Sequence, residues 1–290
     1  MNPVAFEIFG LQVHWYGLII ASGLLIAMVI ACWLAPSRGF KRDDPLEWIL
    51  WMFPLAIVGA RLYFLIANNG PWGWEAFAIW NGGIAIYGGI IGGAIGLALY
   101  CIIRKKNFLK CADIVAPCLI FGQAVGRWGN FVNQEAYGSL ITDPSKHFFP
   151  FGVHIDRSNF TESARQQCLD AFGSIPEDAW FNATFFYESM TSLVTCAILI
   201  CLVKKVNISG ITMSAYFVLY GIARFFIEGI RTDSLMWGAM RASQVVSILL
   251  IVAGLAIGTY LIIKHFKNKN KIDNDIIIIG ANNGKLQERE

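Results

Sequence analysis

The chain has 290 residues, of which 56% are hydrophobic and 15% charged, and a formal net charge of +3; its mean hydropathy is +0.54. Ordinary soluble domains carry about 25% charged residues, so this composition excludes a soluble globular enzyme. Apolar runs of about 20 residues, each long enough to cross a ~30 Å hydrocarbon core, predict one polytopic membrane domain, and no nucleic-acid partner is expected.

In chain order the apolar runs predict an all-α protein with seven transmembrane helices, near 14–35, 46–67, 82–103, 112–132, 182–203, 211–230 and 242–264. Residues 1–13 hold no Lys or Arg, so they lack the basic start of a signal peptide and span one is expected to be retained. Arg38, Lys41 and Arg42 follow span one, whereas 68–81, after span two, again has no Lys or Arg. Span three carries Gly82, Gly83, Gly88, Gly89, Gly92, Gly93 and Gly96, and the 88/92/96 and 89/93 repeats form small-xxx-small ridges that allow close helix approach. A phosphate-cradling glycine loop would need irregular backbone with free amides, so packing is the expected role. Arg104, Lys105, Lys106 and Lys110 follow span three. Span four contains Pro117 and runs into Gly126-Arg127-Trp128-Gly129-Asn130, which makes its end the hardest to place.

Residues 133–181 are polar, contain Pro144, Pro150 and Pro176, and read as an irregular extracytoplasmic cap. Lys204 and Lys205 follow span five, and Lys264, Lys267, Lys269 and Lys271 follow span seven. Under the positive-inside rule this alternation puts the N-terminus outside and the C-terminus inside. Residues 1–267 are then one transmembrane catalytic domain, and 268–290 a partly disordered cytoplasmic tail. Of the seven cysteines only Cys168 falls in the outer segment, which argues against a disulfide framework. Cys32, Cys101, Cys111, Cys118, Cys196 and Cys201 are expected to pack as small apolar groups.

An arginine at the bilayer centre costs roughly 2.5–3.5 kcal/mol on insertion scales, so Arg61, Arg127 and Arg224, each inside a span, need a reason to be there. The predicted topology brings all three toward the outer leaflet, at the level of His14, Trp15, Tyr16, Tyr87, Arg241 and Gln244. Tyr220, Arg224 and Glu228 share a helix face at i, i+4 spacing, with Arg231 three residues on; Arg127 and Asn130 are one turn apart, and Asn133, Gln134 and Glu135 follow. Singly, each has a plainer reading. Trp15 and Tyr16 suit an aromatic belt, His14 an interfacial histidine, Arg241 a snorkelling flank, Arg61 a helix-locking ion pair, and Arg224 with Glu228 an intrahelical pair. Together they suggest a site for a phosphate-bearing lipid headgroup, because planar guanidinium donors suit bidentate phosphate contacts and would also stabilise a departing phosphate.

The run Gly126-Arg127-Trp128-Gly129-Asn130-Phe131-Val132-Asn133-Gln134-Glu135-Ala136-Tyr137-Gly138 resembles the GRxGNFxNxExxG signature of bacterial phosphatidylglycerol–prolipoprotein diacylglyceryl transferases. His14-Trp15-Tyr16-Gly17, the stretch from Gly82 to Gly89, and Tyr220-Gly221-Ile222-Ala223-Arg224-Phe225-Phe226-Ile227-Glu228 resemble that family in the expected order, over about residues 5 to 265. The resemblance implies a multi-pass enzyme of the bacterial inner or plasma membrane. Such an enzyme moves the diacylglyceryl group of phosphatidylglycerol onto the lipobox cysteine of a prolipoprotein signal peptide, forming a thioether and releasing glycerol phosphate. It also implies essential roles for Arg127, Asn130, Glu135, Gly138, Tyr16, Tyr220, Arg224 and Glu228.

Many members have His where this chain has Tyr87, and that histidine has been suggested as the thiol's base. The expected catalytic set is therefore Arg127, Arg224, Glu135, Tyr87 and His14. The expected headgroup-binding set is Arg127, Asn130, Gly138, Tyr16, Tyr220, Glu228 and Arg61. No cofactor or metal is expected, since the four histidines form no HxxxH or HExxH arrangement. A lipid or anion transporter is the alternative class; it predicts charges spread across the membrane or an inverted repeat with broken helices, and neither pattern is visible.

Overall fold

The computed structural model describes residues 4–8, 11–68, 70, 72–78, 82–231, 236–237 and 240–287. Seven helices are long and apolar enough to cross a membrane: Trp15–Arg38, Asp44–Ala67, Ile86–Ile103, Phe108–Val132, Thr184–Lys205, Ile211–Glu228 and Ala242–Lys269. In regular α-helix these are α1 (Trp15–Leu34), α2 (Asp44–Ala67), α3 (Ile86–Ile103), α4 (Phe108–Val132), α6 (Thr184–Lys205), α7 (Ile211–Glu228) and α8 (Ala242–Gln287), with a short α5 (Glu162–Phe172) between α4 and α6. The chain is thus a polytopic helical protein, as its hydropathy predicts.

Local chemistry explains where the boundaries differ from the apolar runs. Helix α4 starts earlier than expected because Asn107 Oδ1 accepts the Lys110 amide at 3.1 Å and caps it. It then continues through Pro117 to Val132, since Pro117 is packed in the helix bundle, where neighbours tolerate a missing amide bond. Helix α3 starts later than expected. Gly82 and Gly83 have φ of +82° and +75° and are not helical. Helix α8 continues to Gln287, although the tail beyond 267 was expected to be partly disordered; no proline interrupts 242–287.

Helices α2 and α3 pair along the ridge Gly88, Gly92 and Gly96. A methyl group on Gly88 would run into the Gly59 carbonyl, and one on Gly92 into the Leu55 carbonyl. Gly89 and Gly93 face Ala56 and Ala60 at ordinary contact distance, so only one of the two expected ridges is the tight one. The α2–α3 pair joins the other helices through a core at one end of the bundle, built from Leu34, Trp48, Leu97, Tyr100, Cys101 and Ile114. At the opposite end Tyr16, Ile20, Leu62, Tyr63, Ile86, Tyr87 and Ile90 are exposed.

That open end also carries the extramembrane structure. Strands β1 (Val4–Ile8) and β2 (Leu11–His14) form an antiparallel hairpin leading into α1. The 133–181 segment is more ordered than the irregular cap its composition suggested: β3 (Gly152–Asp156) pairs antiparallel with β4 (Asp178–Asn182), and α5 packs with them. Tyr137, Ile155, Phe160, Ala164, Cys168 and Phe181 form its own core. Thr161 caps the start of α5, and Gly173, at φ +69°, ends it. Short strands β5 (Met236–Trp237) and β6 (Met240–Arg241) precede α8.

Candidate active site

The capped end of the bundle holds a buried guanidinium–carboxylate cluster. Glu188, on the second turn of α6, pairs with Arg127 of α4 through Oε2, and through Oε1 with Arg224 of α7 at 2.9 Å and Arg231, just past α7, at 3.3 Å. Glu228 pairs with Arg224 at 2.7 Å, one turn along the same helix. Both carboxylates are buried, while Arg127 keeps 23% of its side chain accessible, so the cluster is open on the arginine side. Desolvating these charges is costly unless they pair well, which explains why three helices converge here with matched partners.

Neighbouring contacts hold the cluster in register. Trp128 Nε1 donates to Ser189 Oγ at 3.1 Å, and Ser189 Oγ donates to the Ala124 carbonyl at 3.0 Å, so α4 and α6 are stitched one residue from Arg127 and Glu188. Tyr220 lies within electrostatic range of Arg224, Arg127, Glu188 and Tyr87. Its ring stacks on Tyr216, with centroids 5.6 Å apart, and the Tyr216 hydroxyl accepts from Gln123 Nε2 at 3.1 Å.

The signature loop after α4 is held from both sides. Gln134 and Ala136 adopt φ of +54° and +56°, a region that costs non-glycine residues strain. Gln134 Oε1 accepts from the Asp156 amide and from Asn159 Nδ2, and the Ala136 carbonyl accepts from Thr184 Oγ1 at 2.6 Å. Glu135 sits between these anchors with its side chain exposed; it accepts from Asn133 Nδ2 at 3.3 Å, and its amide donates to the Asn130 carbonyl at 2.9 Å. Gly138 has no room for a side chain, because a methyl there would approach Asn182 Cβ to 2.7 Å and Thr184 Cγ2 to 2.8 Å. It bridges to Arg231 backbone to backbone, so this glycine fixes where Arg231 leaves α7. Tyr16 lies across Gly129, where a methyl would come 2.6 Å from the ring.

Of the residues expected from sequence, Arg127, Arg224, Glu228 and Tyr220 are brought together, and Tyr16, Asn130 and Gly138 border them through the signature loop. His14 ends β2, is exposed, and makes no capping bond. Tyr87 is 53% exposed, with its ring 6.2 Å from that of Tyr63. Arg61 makes different contacts. Its guanidinium donates to the carbonyls of Glu75, Ala76, Gly82 and Gly83 at 2.8–2.9 Å, which fastens the α2–α3 connection. The carboxylate partner considered for it is replaced by four backbone oxygens.

Glu188 was missed. It is the only acidic residue in α6, and an acid inside a span deserves the same suspicion as an arginine. Arg231 was noted only as an extension of the α7 stripe. Among the described residues no group of three or more His, Cys, Asp or Glu could hold a metal ion.

Seven apolar helices closing around an arginine–glutamate cluster at one end define a polytopic membrane protein with a polar site built into the bundle. Residues 3–260 match the family model described as prolipoprotein diacylglyceryl transferase, and the chain belongs to that family, a family of transferases. It is 39% identical over 275 residues to phosphatidylglycerol–prolipoprotein diacylglyceryl transferase 1 of Clostridium perfringens, covering 93% of this chain and 98% of the relative. Similar matches are the phosphatidylglycerol–prolipoprotein diacylglyceryl transferases of Streptococcus uberis, 39% identical over 88% of this chain and 93% of the relative, and Listeria innocua, 38% identical over 91% of each.

Proposed function

We propose that this chain transfers the diacylglyceryl group of phosphatidylglycerol to the lipobox cysteine of prolipoproteins, the first step of bacterial lipoprotein maturation. The reaction takes place at the outer side of the cytoplasmic membrane, with the N-terminus outside and the C-terminus inside. The observation that carries this reading is the convergence of Arg127, Arg224 and Arg231 on two buried carboxylates beside the signature loop. The names of the relatives supply the two substrates.

In the proposed mechanism the cysteine sulfur attacks the glycerol carbon that bears the phosphate. The S–C bond forms, the C–O bond breaks, and its electron pair leaves on the oxygen of glycerol phosphate. Arg127 and Arg224 hold the phosphate and neutralise the charge that grows on the leaving group; each guanidinium has five donors, more than the carboxylate contacts use. Asn130 and Tyr16 orient the headgroup, Tyr220 lines it, and Glu228 positions Arg224. A free thiol has a pKa near 8.5, so attack also needs a proton acceptor or a cationic field. Glu135 suits the acceptor role because it is exposed at the site, whereas Glu228 is paired with Arg224. His14 and Tyr87 border the same end.

The test is a mass-spectrometric transfer assay with purified protein, phosphatidylglycerol and a lipobox peptide. A diacylglyceryl mass shift on the cysteine with wild type, absent in a folded Arg127→Ala variant, supports the reading. No shift with any anionic phospholipid overturns it.

A further inference from the structure

We infer that Glu188 is an internal counter-ion occupying the arginine donors that a phosphodiester uses, and that it thereby sets how tightly the site holds anions and how quickly the phosphate product leaves. This rests on the transferase reading above. Among the described residues Glu188 contacts all three arginines, with Arg127 on one carboxylate oxygen and Arg224 and Arg231 on the other. A phosphodiester offers the same pattern, two oxygens sharing a single negative charge, and guanidinium donors fit both groups in the same forked geometry. The three arginines come from α4, α7 and the turn after α7, while the carboxylate comes from α6. Glu188 therefore sets the arginine separation without being part of the lipid.

This arrangement has a direct consequence for turnover. The substrate is a phosphodiester with one negative charge, and the released phosphomonoester carries up to two at neutral pH. A purely cationic cluster would hold the product more tightly than the substrate. A fixed carboxylate among the arginines opposes that retention. Glu188 is thus a positioning residue that favours release, while the arginines remain the groups that touch phosphate. Glu228, which pairs with Arg224, can share this effect to a smaller degree.

Two variants separate charge from positioning. Glu188→Gln keeps the size and removes the charge, making the cluster one unit more cationic. Inhibition by added glycerol phosphate should become about tenfold tighter and the KM for phosphatidylglycerol should fall, while steady-state kcat drops by at least about tenfold and the first turnover survives as a burst. Glu188→Asp keeps the charge on a shorter arm, so its glycerol phosphate inhibition and KM should stay closer to wild type than those of Glu188→Gln.

Glycerol phosphate binding followed by 31P NMR reads the same shifts without turnover, so the inference is tested even if the transfer reaction fails. Weaker or unchanged anion binding in a folded Glu188→Gln protein would overturn it, since that is the outcome for a residue that only braces the helices. If Glu188→Gln does not fold, Glu228→Gln decides the matter: a tighter glycerol phosphate Kd in that variant is required, and a weaker or unchanged one overturns the inference.

Discussion

Two buried ionic clusters lie at opposite ends of α4, built from the same residue types to different purposes. Near its start, Asp113 pairs with Arg38 at 3.3 Å, and their side chains are 0% and 1% exposed. Asp113 also accepts the amides of Gly210, Thr212 and Met213 at 2.8–3.1 Å, capping α7, while Arg38 donates to the Val206 carbonyl and Thr212 Oγ1. About 21 Å along the helix, Arg127 meets Glu188 with its guanidinium partly accessible and with two further arginines on the same carboxylate. The first cluster is sealed, one arginine to one acid, with backbone groups and the Thr212 hydroxyl as the further partners. The second is open and gathers three arginines onto two acids. Buried charge by itself therefore does not mark a site. The ratio of arginines to acids, and access to the arginines, separate the brace from the cluster proposed to bind the headgroup.

The largest test of this contrast is Asp113→Ala. It removes the cap of α7 and strands Arg38, which should cost about 3–5 kcal/mol of stability. The folded fraction should keep near-normal activity, and a thermal melt run alongside the transfer assay checks both. Arg127→Ala should give the converse: a loss of about 10²–10³ in kcat, with a melting temperature close to wild type. Gly138→Ala falls between the two. The added methyl meets Asn182 and Thr184, so overpacking should cost about 1–3 kcal/mol and displace Arg231, lowering stability and kcat/KM together. Tyr87→Phe should change kcat/KM by less than about threefold, because the exposed hydroxyl makes no hydrogen bond among the described residues and a typical one contributes only about 1 kcal/mol.

The open cluster was partly legible in the sequence and the sealed one was not. Hydropathy located all seven crossing helices because each is a local, continuous property of the chain. Arg127, Arg224 and Glu228 stood out as costly residues in apolar runs, and the signature around Arg127 gave them a common purpose. Glu188 escaped because its meaning lies in partners 36 to 61 residues away in sequence, which no local pattern reveals. Arg38 read simply as a basic loop residue counted toward topology, although it is buried against Asp113. Arg61 was legible as an oddity, but backbone carbonyls carry no sequence identity, so its four acceptors could not be foreseen. The strands and α5 of the 133–181 segment were hidden by its prolines and polar composition. Its small core depends on Tyr137, Phe160 and Phe181 meeting across more than forty residues.

The most direct measurement is native mass spectrometry of the purified protein with phosphatidylglycerol, comparing wild type, Arg127→Ala and Arg38→Gln at equal folded concentration. If the open cluster is the headgroup site, bound phosphatidylglycerol disappears in Arg127→Ala and persists in Arg38→Gln. Retention in Arg127→Ala, or equal loss in both variants, would contradict that assignment.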